Sequence, residues 1–185
     1  MSSSRIRQLI RSGKLTAARR LLGRPPALYG VVVRGAGRGR RLGFPTANIR
    51  LHSQVLPPQG VYAVIIERLS RRKHWQGVTP PPLRTRSLGM LPSERLPTEG
   101  WQTPTGGGLS RRGGGVMNLG VRPTFGTGPL VCEVHVLGFA GRLLGQRVAV
   151  SLLARLRGER CFPTPQALVR QVQKDVQRAA HLFKR

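Results

Sequence analysis

The chain has 185 residues, with 32 lysines and arginines against 6 acidic residues, for a formal net charge of +26. That length suits one domain with a true core, and the charge favours anionic ligands. No apolar run is long enough to cross a bilayer, the two cysteines are too few for a disulfide framework, and the scattered histidines show no zinc spacing.

Residues 1–23 read as two short helices. Ser3 or Ser4 caps the first, which carries Ile6, Leu9 and Ile10 and ends at Gly13. The second holds Leu15, Ala18, Leu21 and Leu22 and closes at Gly23, Pro25 and Pro26. With no acid and many Ser and Arg, the segment also fits an organelle import leader. Otherwise the composition suits the reducing cytoplasm.

Tyr29 to Arg34 reads as a strand. It leads into Gly35-Ala-Gly-Arg-Gly-Arg-Arg-Leu-Gly-Phe-Pro-Thr-Ala-Asn48. Gly35, Gly37, Gly39 and Gly43 permit positive φ and close approach. Arg38, Arg40 and Arg41 add guanidinium forks, which together with exposed N–H groups bind phosphates. No Gly-Lys-Ser/Thr follows, and Pro45 stands where a dinucleotide-binding helix would run. Thr46 and Asn48 offer neutral oxygens, which Mg²⁺ accepts when phosphates complete its shell.

A second strand is expected over Ile49 to Val55 and a stronger one over Gly60 to Glu67, rich in β-branched residues. Residues 70–115 then lose periodicity in a tract of Arg, Pro and Gly runs. Trp101 inside it is a candidate docking anchor. Order returns at Val116. Asn118 to Gly126 reads as a strand end and turn, and Leu130 to Leu137 as another strand. There Cys132, Val134 and Val136 face one way and Val131, Glu133, His135 and Leu137 the other. Both faces are largely apolar, so Glu133 must be paired or used. A further turn and strand follow from Gly145 to Leu153. Thr164 and Pro165 open a last helix with Leu168, Val169, Val172, Val176 and Ala179 or Ala180 on one stripe. Five or six strands with short connections and a terminal helix suit a small β-barrel.

The run ending in Gly43-Phe44-Pro45-Thr46-Ala47-Asn48 resembles the signature of the riboflavin kinase, or flavokinase, family. Other segments are similar to that family in the same order. They are Gly60-Val61-Tyr62, Asn118-Leu119-Gly120 with Pro123-Thr124, Cys132-Glu133-Val134-His135-Val136-Leu137, and Leu156-Arg157-Gly158-Glu159 with Phe162. Trp75-Gln76-Gly77-Val78 and Gly115 to Gly120 look like the two parts of its hairpin, leaving an insertion at about residues 79–114. Ser2-Ser3-Ser4-Arg5-Ile6-Arg7 resembles the junction that precedes the kinase module in bacterial bifunctional riboflavin kinase/FAD synthetases. That assigns 1–23 to a remnant of the junction and 24–185 to the kinase domain.

The resemblance implies a six-stranded antiparallel Greek-key barrel with a C-terminal helix and short N-terminal helices. It implies transfer of the ATP γ-phosphoryl group to the ribityl 5′-hydroxyl of riboflavin, giving FMN and ADP with Mg²⁺ as metal. FAD synthesis is not expected, so a separate FAD synthetase is an expected partner. Glu133 is the implied catalytic base, and Thr46 and Asn48 the metal ligands. Gly35, Gly37, Arg40, Arg41, Gly43, Pro45, Thr46 and Thr124 are the implied nucleotide contacts; Asn118, Arg157 and Phe162 are the implied flavin contacts. His135 is expected to belong to the framework. Gly138 departs from the family, which often has Asp there. Two rival readings are a basic RNA-binding barrel and a flavin-binding remnant without turnover. Non-specific nucleic-acid binding is an expected side effect of the charge, and no membrane partner is expected.

Overall fold

The computed structural model describes residues 2–53, 55–69, 112–121, 130–139 and 141–183. Six strands close into a barrel: β1 (Ala27–Val33), β2 (Ala47–Leu51), β3 (Gly60–Arg68), β4 (Arg112–Val121), β5 (Leu130–Val136) and β6 (Arg147–Arg157). Their order around the barrel is β1-β2-β5-β4-β3-β6, and every neighbouring pair is antiparallel. Strands β3, β4 and β5 run as a meander and β6 returns beside β3, the Greek-key arrangement that the resemblance implies. Closure removes the exposed sheet edges at which chains aggregate.

Period-two alternation decides what fills the barrel. Leu28, Val32, Tyr62, Val64, Ile66, Met117, Leu119, Cys132, Val134, Val148, Val150 and Leu152 point inward and form one buried cluster. The Tyr62 hydroxyl donates to the Pro58 carbonyl. Burial pushes its pKa up, partly offset by Arg155.

Two of the helices pack on the barrel wall. In α1 (Ser3–Arg11) the cap is Ser2, whose hydroxyl accepts from Ser4 N–H, and not Ser3 or Ser4 as expected. Helix α2 (Leu15–Leu22) sends Leu15 into the barrel core. Within the segment read as a junction remnant, α2 packs on β6 while α1 buries no residue. After the four-residue turn α3 (Arg38–Arg41), the last helix is α4 (Pro165–Phe183). Thr164 caps it by accepting from Ala167 N–H at 3.2 Å. Val176, Ala179, Leu182 and Phe183 pack on Val61, Ala63 and Val116 of the outer wall. Among the described residues no helix is long and apolar enough to cross a membrane.

Several boundaries differ from the sequence expectation. Strand β2 stops at Leu51 and does not reach Val55. The low-complexity tract ends earlier than Val116, because Gly113, Gly114 and Gly115 are paired with Ile66, Ile65 and Val64 in β4. At Gly115 the strands come so close that a Cβ would lie 2.6 Å from the His135 carbonyl oxygen. That approach, and not flexibility, accounts for a glycine there. The Trp75–Val78 segment, Trp101 and Thr124 lie outside the described residues.

Candidate active site

The loop from residue 34 to 46 connects β1 to β2 and lines a cleft. Its glycines do two different jobs. Gly37 and Gly43 have φ of 69° and 84°, a conformation costly for other residues. Gly35 and Gly39 lack positive φ and serve by small size. A Cβ on Gly35 would lie 2.1 Å from Asn48 Nδ2, and one on Gly39 would lie 2.4 Å from the Phe44 carbonyl oxygen and 3.0 Å from Thr46 Oγ1. The loop is thus folded tightly against Phe44-Pro45-Thr46-Ala47-Asn48.

His135 on β5 latches this segment. Its Nδ1 lies 2.9 Å from the Pro45 carbonyl oxygen, which can only accept, so Nδ1–H is the donor. Phe44 meets the imidazole edge-on at 5.5 Å. His135 therefore has the framework role expected of it.

Beneath the loop lies a cleft of about 710 Å³. Of the expected nucleotide contacts, Gly35, Gly37, Arg40, Pro45 and Thr46 line it, and so does Asn48, expected as a metal ligand. Arg41 and Gly43 do not. The far wall comes from Phe139, Arg142, Leu143 and Leu144, which the sequence reading missed, and Arg34 adds a further cation at the near side. Gly138, at φ 64°, and Gly145, at φ 78°, bracket that wall and allow its turns. They are the signal that could have exposed it. An Asp at position 138 would also tolerate this conformation, so the departure from the family leaves the turn intact.

A transverse row ties the cleft to the outer wall. Asn48 on β2 is the register partner of Glu133 on β5, and Glu133 is the partner of Asn118 on β4. The row runs on through Val61 to Arg157. All of these positions point outward, opposite in phase to buried Cys132 and Val134. Glu133 is half-buried between two amide side chains, and Asn118 is exposed. Burial, reinforced by the neighbouring Glu133 charge, pushes the Cys132 thiol up to about 12, so it takes no part as a nucleophile.

At the far end of the row the arrangement changes. Arg157 Nε donates to Asp175 Oδ2 at 2.9 Å and Nη1 to the Gly158 carbonyl at 3.0 Å. Gln171 Nε2 donates to the other Asp175 oxygen at 2.9 Å. The guanidinium stands 5.6 Å from the Phe162 ring centroid. Arg157, expected to touch flavin, is thus the anchor of α4 and the prop of Phe162. Asp175, 1% exposed, was read past because it falls on the apolar stripe three residues after Val172. Glu159 lies over β4, with its carboxylate where a Gly120 side chain would stand: a Cβ there would be 1.6 Å from Oε1.

The donor set in the cleft suits a nucleotide-borne Mg²⁺. Thr46 and Asn48 supply neutral oxygens to one space, and among the described residues no carboxylate lines it.

A family model described as riboflavin kinase (Flavokinase) matches residues 22–183. The bifunctional riboflavin kinase/FMN adenylyltransferase of Haemophilus influenzae is 33% identical over 183 residues, covering 99% of this chain and 47% of that protein. Its Escherichia coli K12 counterpart is likewise 33% identical over 183 residues, with 99% and 46% covered. The chain therefore spans about half the length of these curated relatives. A solved structure described as a macrolide-efflux protein from Streptococcus pneumoniae aligns with a TM-score of 0.67 at 28% identity, over 95% of this chain and 45% of that one. With the glycine loop, the Pro45-Thr46-Ala47-Asn48 segment and the Glu133 strand in one barrel, the match over 22–183 means that the chain belongs to the riboflavin kinase family.

Proposed function

We propose that the chain transfers the γ-phosphoryl group of ATP to the ribityl 5′-hydroxyl of riboflavin, giving FMN and ADP. The observation that carries this reading is the position of Glu133. It is next in register to Asn48, which lines the cleft, and to Asn118, which faces outward. A carboxylate at that point borders both an anion cleft and an open wall.

The nucleotide lies in the cleft, its phosphates covered by the 34–46 loop, with Arg34, Arg40 and Arg142 countering their charge. Thr46 and Asn48 would hold Mg²⁺, which supplies neutralisation of the phosphate oxygens when bound. Riboflavin lies along the outer wall near Asn118 and Phe162, its 5′-hydroxyl at Glu133. As the hydroxyl oxygen bonds to the γ-phosphorus, Glu133 takes its proton, and the bond to the β-phosphate bridging oxygen breaks with the electron pair leaving on ADP. Positioning and charge supply most of the acceleration, and a base of this kind adds about 10²–10⁴-fold.

FMN is the product of the kinase reaction on this reading. The reaction belongs in the cytoplasm. Incubation with ATP, Mg²⁺ and riboflavin, followed by chromatography, tests it: FMN without FAD is the expected result. Riboflavin recovered unchanged would reject kinase activity.

A further inference from the structure

A second cavity, of about 330 Å³, opens on the wall made by β2, β1 and β6 and shares no residue with the phosphate cleft. Tyr29 and Val31 line it from β1, Arg50 and His52 from β2 and its end, and Arg147 from β6. Val31 is the register partner of both Arg50 and Arg147, so the arginines flank it in one row. Two strand spacings put their backbones about 10 Å apart. Side chains of that length can converge on one anion between them. The aromatic corner is held by the backbone: His52 N–H donates to the Tyr29 carbonyl at 2.8 Å, and Tyr29 N–H to Ser53 Oγ at 2.8 Å. Among the described residues no carboxylate lines the cavity. Glu67, in the same row as Tyr29 across β6, is paired with Arg112 at 3.1 Å.

An aromatic surface beside two exposed arginines, in a space near the small end of ligand pockets, suits a flat ring carrying a phosphate. We propose that this cavity binds one nucleotide unit, with its base against Tyr29 and His52 and its phosphate between Arg50 and Arg147. The unit comes either as a free nucleotide or as part of single-stranded RNA, and the chain's net charge of +26 favours both.

The test is fluorescence anisotropy of a labelled oligouridylate of about ten nucleotides on the full chain over a salt series. Arg50→Ala/Arg147→Ala is expected to weaken binding about tenfold and to flatten the log–log salt slope by about 0.7 for the lost phosphate contact. Tyr29→Leu is expected to weaken it about five- to a hundredfold through lost stacking. The control Arg170→Ala/Lys174→Ala removes equal charge from exposed positions on α4 and is expected to stay within about twofold, as rim charges do. Unchanged riboflavin turnover in the Arg50/Arg147 variant checks that it folds. Displacement of the probe by uridine monophosphate identifies the free nucleotide as sufficient; displacement only by unlabelled strand identifies RNA. Equal losses in the two double variants, no effect of Tyr29→Leu, or no binding by the unaltered chain would overturn the proposal.

Discussion

Arg40 and Arg157 carry the same guanidinium in one small barrel and are put to opposite uses. Arg40 is exposed on a glycine-rich loop and lines a cleft that, among the described residues, has no carboxylate. Arg157 is 11% exposed and bound to Asp175, which is 1% exposed and takes a second hydrogen bond from Gln171. One arginine is available to a ligand; the other holds α4 against the barrel. Both lie in segments that resemble family signatures, so residue type and motif alone did not separate them. Burial and partners did.

The largest effect is expected where the buried pair is broken. Asp175→Leu leaves the Arg157 charge uncompensated and should cost about 3–5 kcal/mol of stability in denaturant titration. Adding Arg157→Met should recover most of that loss, because replacing both ions by apolar groups is often neutral or favourable. No recovery would mean that the pair itself, and not the orphaned charge, carries the stability. At the cleft the opposite pattern is expected. Arg40→Ala should raise the KM for ATP about tenfold, the worth of one charge-assisted hydrogen bond, with the melting temperature unchanged. Arg41→Ala should change KM by less than about twofold, since Arg41 does not line the cleft and exposed charges act weakly at a distance. An equal effect of both would show that the loop acts only as diffuse charge.

The smallest effect concerns Cys132. Its native pKa is raised from 9.0 to about 12 by burial and then by Glu133. The unfolded chain releases this proton first as pH rises, so stability is intact below pH 9 and falls as pH climbs from 9 towards 12. Cys132→Ala should make the melting temperature less steeply dependent on pH in that window.

The barrel was legible because strand periodicity is local and the glycine loop ends in an ordered motif. The row Asn48–Glu133–Asn118 was legible as three separate residues, but its continuity required the pairing of β2, β5 and β4. Two features were hidden for physical reasons. Asp175 sits on an apolar stripe, where its meaning depends on an arginine 18 residues away in sequence that reaches it only after α4 packs. Gly113 to Gly115 look like linker composition, yet they are strand residues paired with β3, and at Gly115 the lack of a side chain admits the neighbouring backbone. The wall of Phe139 and Gly141 to Leu144 was missed because only the fold brings it opposite the loop.

The central claim is that Glu133 takes the proton of the riboflavin 5′-hydroxyl. Glu133→Gln keeps the shape and removes the base. Its rate of FMN formation should be measured beside its riboflavin affinity, read by quenching of flavin fluorescence. The account predicts unchanged affinity with turnover reduced about 10²–10⁴-fold. Turnover equal to that of the unaltered chain would contradict it and leave Glu133 as one more framework residue of the wall.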